Sequence, residues 1–133
     1  MKFPSKWLIA TNGSKYASIA VEHAGALSAF LKEKPIVTIL VVANTADDEE
    51  AALGIVEMAK FLFEEKGNKI VEPLLEVRIG KPGETIVNTA KDLDCDQVFI
   101  GGADFKWDIN DDSPGGVSNY IIANFDGTII VVK

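Results

Sequence analysis

Three short glycine-bearing segments of this chain, two of them with hydroxyl side chains and the first also with a carboxamide, are of a kind suited to holding phosphate. They are Ala10-Thr11-Asn12-Gly13-Ser14, Gly101-Gly102 and Gly115-Gly116-Val117-Ser118. Glycine lets backbone come close to a ligand. A helix that starts at such a segment presents unbonded N–H groups and a partial positive charge, and an anion fits there. Each segment also has a plain structural use. Thr11, Asn12 and Ser14 are helix-capping residue types. Gly101-Gly102 lets a strand turn away tightly, Gly116 is acceptable at an N-cap, and Ser118 falls in the first turn of a helix, where it can cap. The residue types alone make a nucleotide pocket a candidate of low specificity.

The elements around these segments alternate in kind. Short apolar runs at Trp7–Ala10, Ile36–Ala43, Leu74–Ile79, Gln97–Ile100 and Thr128–Val132 read as strands. Ile36–Ala43 is apolar on both faces, as a strand between two helical layers should be. Leu74–Ile79 alternates more and is expected nearer an edge. Apolar residues at helical spacing predict helices over Lys15–Glu33, about Asp48–Lys66, about Glu84–Leu93 and Gly116–Phe125. Gly67-Asn68 is a C-terminal stop, and residues 103–114 read as a polar loop. This β-α-β-α-β-α-β-α-β order predicts a single α/β domain with a doubly wound, five-stranded parallel sheet and helices on both faces. In such a sheet ligands collect outside the carboxyl ends of the strands, where strand order reverses. The three glycine segments and Val42-Ala43-Asn44 converge there.

Composition narrows the partners. The 133 residues are 47% hydrophobic and 25% charged, ordinary for one globular domain. A net charge of -7 disfavours sequence-blind nucleic-acid binding and docking on an anionic membrane. No apolar run approaches the roughly 20 residues of a membrane span. One cysteine, Cys95, excludes an internal disulfide and fits a reducing compartment. The expectation is a soluble cytoplasmic domain.

Other reactive residue types read plainly. His23 has no second ligand near it in sequence and is expected at the surface. Cys95, between a helix and a strand, is expected to act as a small buried hydrophobe. Asp108, Asn110 and Asp112 alternate as in calcium loops, but the required Gly and closing bidentate Glu are missing, so no metal is expected. Trp107 suits either a lid or a partner contact. There is no G-x-S-x-G elbow, no Walker lysine and no convincing carboxylate pair, so catalysis is not expected.

Four stretches together resemble the universal stress protein family. Leu8-Ile9-Ala10-Thr11-Asn12-Gly13-Ser14 looks like its opening strand and A-T-D-G-S turn. Val77-Arg78-Ile79-Gly80-Lys81-Pro82-Gly83-Glu84-Thr85-Ile86 looks like its V-x-x-G-x-P-x-x-x-I segment. Asp96-Gln97-Val98-Phe99-Ile100-Gly101 looks like D-x-I-V-x-G. Gly115-Gly116-Val117-Ser118-Asn119-Tyr120-Ile121 with Thr128-Ile129-Ile130-Val131-Val132 looks like the G-S-V-S-x-Y-V helix and closing strand. The resemblance implies a flavodoxin-type sheet, a homodimer paired through Thr128–Val132, and a role in stress response or signalling.

One branch of that family binds ATP or AMP through G-x2-G-x9-G-S/T. Carried over, Ala10, Thr11, Asn12 and Val42 would lie near adenine and ribose, and Gly101, Gly102, Asp104, Gly115, Gly116, Val117 and Ser118 around the phosphates. This chain departs at four points. Asn12 replaces aspartate, Asp104 replaces the second glycine, ten residues rather than nine separate Asp104 from Gly115, and Gly116 replaces the phosphate-binding hydroxyl. Asp104, Asp108, Asp111 and Asp112 face a single Lys106 in that loop. A unit charge pair about 8 Å apart is worth roughly 0.5 kcal/mol in water and about 2 kcal/mol at an effective dielectric near 20. Several carboxylates facing a triphosphate therefore weaken it on the order of a hundredfold, unless Mg²⁺ bridges them. The expectation is weak or lost ATP binding in a non-enzymatic dimer. The alternatives are a genuine ATP/AMP switch with slow ATPase activity and a flavin-type electron carrier, whose T-x-T-G-x-T loop is matched only in part. A receiver domain lacks its clustered aspartates here.

Overall fold

The structure, a computed structural model, describes residues 4–102 and 116–133. Five strands, β1 (Lys6–Ala10), β2 (Ile36–Ala43), β3 (Leu74–Ile79), β4 (Gln97–Gly101) and β5 (Thr128–Val132), alternate with helices α1 (Lys15–Phe30), α2 (Glu49–Lys66), α3 (Pro82–Asp92) and α4 (Val117–Asn124). The strands form one parallel sheet in the order β3-β2-β1-β4-β5. The sheet is the predicted doubly wound one. Strand order reverses between β1 and β4, and β3 lies at an edge as its alternation implied.

Successive strand residues point to opposite faces, and the two cores divide accordingly. Trp7, Ile9, Ile39, Val41 and Phe99 pack with Val21, Ala24, Val56 and Phe63 of α1 and α2. Leu8, Ala10, Leu40, Val98 and Ile100 pack with Ile86, Val87, Ala90 and Ile121 of α3 and α4. The buried stripe of α1 is small: Ala17, Ala20, Ala24, Gly25 and Ser28 accompany Val21. It lets α1 lie close to its neighbours. A Cβ on Gly25 would sit 2.4 Å from the Phe63 carbonyl oxygen of α2.

Helix ends shift slightly from expectation. α1 stops at Phe30 rather than Glu33, with Leu31 already extended, and the Lys34 ammonium donates to the Ala29 carbonyl at 2.9 Å. That cation satisfies an end carbonyl the helix itself leaves open. α3 starts at Pro82, because proline needs no N–H partner in a first turn. α2 ends at Gly67-Asn68 as read: Asn68 takes φ 54°, and the Lys69 N–H donates to Glu64 O at 2.9 Å. Asp94 (φ 55°) and the Cys95 N–H to Ala90 O bond close α3 in the same way.

Candidate functional site at the carboxyl ends of the central strands

Parallel strands bring every β-to-α turn to one end of the sheet. The structure gathers Ala10, Thr11 and Asn12 after β1, Val42 at the end of β2, Gly101 and Gly102 at β4, and Gly116, Val117 and Ser118 at the start of α4. Asp104 and Gly115, with the acidic loop and Trp107, lie outside the described residues. Of the gathered set, Ala10 is buried in the α3–α4 core, and Val42 and Val117 pack against it.

The turn after β1 is closed on itself. Thr11 N–H donates to Leu40 O at 3.0 Å, Gly13 N–H to Thr11 Oγ1 at 3.1 Å, and Ser14 N–H to Asn12 Oδ1 at 3.0 Å. Gly13 takes φ 81°, a conformation glycine reaches without strain. Ser14 is the N-cap residue of α1, yet its hydroxyl makes no capping bond. Asn12 and Thr11 instead hold the amides just before the helix. The N–H groups of Lys15, Tyr16 and Ala17 precede the first intrahelical bond, Ser18 N–H to Ser14 O. Lys15 adds a cation there, its Nζ lying 5.7 Å from the Tyr16 ring centre.

The exit from β4 is governed by packing. A Cβ on Gly101 would meet Ala17 N at 2.4 Å and Tyr16 C at 2.5 Å, so α1 begins directly on β4. A Cβ on Gly102 would meet Val131 Cγ1 at 2.5 Å, with Ser118 Oγ at 3.5 Å. The Gly102 N–H is engaged by Val132 O at 2.9 Å. These contacts require both glycines whatever the ligand.

Sequence reasoning did not single out Asn119, the third residue of α4. It is 3% exposed, and its Nδ2 has no hydrogen-bond acceptor among the described residues. A buried unpaired donor of this kind costs about 1–3 kcal/mol. The only sequence signal was a carboxamide within a helix of mostly apolar residues. A hollow of about 290 Å³ was also not foreseen. It is lined by Thr11 and Gly13 of the first turn, Ser18 of α1, and Gly54, Ile55 and Met58 of α2, among others. That volume is at the lower end of the roughly 300–1,000 Å³ of small-molecule pockets. A broader depression of about 390 Å³ among Glu57, Lys60, Phe61 and Glu64 lies along α2, away from the strand ends.

The Cys95 thiol is pushed up to about 11, by burial first and by the Asp96 carboxylate second. It packs against the α3–α4 core. His23 is exposed on α1, as expected. Among the described residues no helix is long and apolar enough to cross a membrane, and no group of three metal-ligating side chains occurs.

Fold and site geometry define an α/β protein with a doubly wound parallel sheet and a small hollow between its β1–α1 turn and α2. Residues 5–133 match the Universal stress protein family, and the chain belongs to that family. Sequence comparison with curated proteins finds no match. Solved structures that share the fold include the following three. A universal stress protein in complex with cAMP superposes with a TM-score of 0.80 at 17% identity, over 97% of this chain and 96% of that one. The universal stress protein from Archaeoglobus fulgidus in complex with dAMP gives 0.77 at 16% identity, with both chains fully covered at 100%. A universal stress protein from Lactobacillus plantarum gives 0.67 at 17% identity, over 97% of each chain.

Proposed function

We propose that this protein is a cytoplasmic, non-enzymatic regulator of the universal stress type that takes an adenine nucleotide weakly at the carboxyl ends of β1, β2 and β4. The observation that carries this reading is the start of α4. There Asn119 holds a buried donor without an acceptor among the described residues, and it follows directly on Ser118, whose Oγ lies 3.5 Å from where a Cβ on Gly102 would sit. A phosphate oxygen is the kind of acceptor such a donor lacks. The apolar hollow beside Thr11 and Gly13 offers room for a planar base. The solved relatives with cAMP and dAMP support a nucleotide monophosphate as the ligand class.

Weakness follows from how the amides are spent. Gly13, Ser14 and Gly102 give their N–H groups to partners inside the protein, so few remain for a triphosphate. Gly116 in place of a hydroxyl removes another donor, and the net charge of -7 opposes a polyanion. Asn119, Ser118 and the first turn of α1 are the groups that would hold phosphate. The copies pair through β5, whose apolar residues Ile129 to Val132 need a cover.

Calorimetry with AMP, and with ATP in the presence and absence of Mg²⁺, tests this reading. Dissociation constants on the order of 0.1–1 mM, with AMP at least as tight as ATP, are expected. Submicromolar ATP binding without a divalent cation would overturn the electrostatic argument, and no heat from any of the three at millimolar ligand would remove the nucleotide.

A further inference from the structure

The free edge of β3 is the more exposed edge of the sheet. Leu74, Leu75 and Ile79 are 61%, 38% and 47% exposed. Residues of a strand send their N–H and C=O alternately toward one neighbour and the other. The Gly80 N–H donates to Ala43 O of β2 at 2.9 Å, and Ala43 is the register partner of Ile79. In a parallel ladder that fixes the parity: the backbone of Leu74, Glu76 and Arg78 bonds β2, while Leu75, Val77 and Ile79 turn theirs outward. Pro73, just before the strand, has no N–H, so outward donors begin at Leu75.

The window Leu75-Glu76-Val77-Arg78-Ile79 is self-complementary about its centre. Reversed and laid beside itself, it sets Val77 opposite Val77, Leu75 opposite Ile79 and Glu76 opposite Arg78. The two patterns coincide. The outward residues 75, 77 and 79 fall on the hydrogen-bonded pairs of an antiparallel ladder. Glu76 and Arg78 fall on the non-hydrogen-bonded pairs, where side chains come closer, about 4.5 Å between Cα atoms. Shifting the register by one residue loses both matches. Arg78 binds its own Glu76 through Nε at 2.7 Å and Asp92 of α3 through Nη1 at 2.8 Å. Its guanidinium carries five donors, enough to reach a second Glu76 as well.

We propose that β3 pairs antiparallel with β3 of a second copy of this chain, with Val77 on a two-fold axis perpendicular to the sheet. Two Glu76–Arg78 pairs lie on the α3 face, and an apolar strip of Leu75, Val77 and Ile79 lies on the α2 face. This contact stands independently of nucleotide binding and of β5. On its own it gives a dimer, and together with β5 pairing it gives an open row of copies.

Charge reversal on the full chain, followed by sedimentation velocity across a wide concentration range, tests the pairing. Glu76→Arg puts an arginine opposite the second copy's Arg78, and Arg78→Glu puts a glutamate opposite its Glu76. Each variant alone is expected to weaken the association step roughly tenfold or more, since two attractive cross-strand pairs become repulsive. An equimolar mixture of the two variants restores every opposite-charge pair and is expected to regain that step. The mixture is also its own control, because a misfolded variant does not recover on mixing. Three outcomes overturn the proposal: single variants that associate like the unaltered chain, a mixture no larger than its components, or an unaltered chain that stays monomeric. The last is the result if the edge instead receives an extended segment of another protein.

Discussion

Two regions at the carboxyl end of the sheet, the β1–α1 turn and the flanks of β4 and α4, solve different problems. The β1–α1 turn spends its side chains on itself: Thr11 and Asn12 bond the amides of Gly13 and Ser14. Among the described residues, the β4 and α4 flanks are tight in backbone and leave one polar group unmatched. Gly101 lies under α1, Gly102 lies under Val131, and the buried Asn119 Nδ2 has no acceptor among the described residues. Glycine-rich turns are commonly taken as phosphate sites. Here Gly101 and Gly102 serve packing, and the polar capacity lies in the first turn of α4.

The largest effect should come from Gly101→Val. The added carbons collide with α1 backbone, which no rotamer change relieves, so a loss of about 3 kcal/mol or more is expected. A melting temperature lowered by less than a few degrees would show that α1 does not sit on β4 as described. Next, Asn119→Leu separates the two regions by sign. Removing an unsatisfied buried donor should raise the stability of the nucleotide-free protein by about 1 kcal/mol, while abolishing the stabilisation conferred by millimolar AMP. A variant that is destabilised and still protected by AMP would place the ligand elsewhere.

Asn12→Asp sharpens the closed turn. A carboxylate accepts the Ser14 N–H more strongly and suits the start of α1, so a gain of about 0.5 kcal/mol is expected from thermal melts. Nucleotide affinity should barely move, because that side chain is already engaged. The smallest effect near neutral pH concerns Cys95. Its thiol sits at about 11 in the folded chain against a usual 9.0, so the native state holds the proton more tightly than the unfolded one. Stability is therefore expected to be flat below pH 9 and to fall between pH 9 and 11. Alkylation of the native protein at pH 8 should run roughly a hundredfold slower than in urea.

Much of the fold is legible in residue pattern. The apolar runs Ile36–Ala43 and Thr128–Val132 locate two strands to the residue; the first, covered by helices on both faces, has no reason to alternate. Gly67-Asn68 marks the end of α2 through a left-handed position that asparagine tolerates. The family follows from four motifs in order. The helix starts were less legible: Pro82 reads as a loop residue until its missing N–H is seen to cost nothing at a first turn.

The site divides along another line. Residue types announced that Ala10–Ser14, Gly101-Gly102 and Gly116–Ser118 would meet, since parallel connectivity sends all of them to one end. Whether an amide there is free depends on the atom that reaches it from another strand. Leu40 O takes the Thr11 N–H and Val132 O takes that of Gly102. Likewise, Glu76 and Arg78 alternate visibly in the chain, but only the Gly80–Ala43 bond settles which backbone groups face outward. Local composition set the strands, turns and charges of this protein. Hydrogen-bond occupancy and close approach are relations between distant segments, and these the packed structure alone decided.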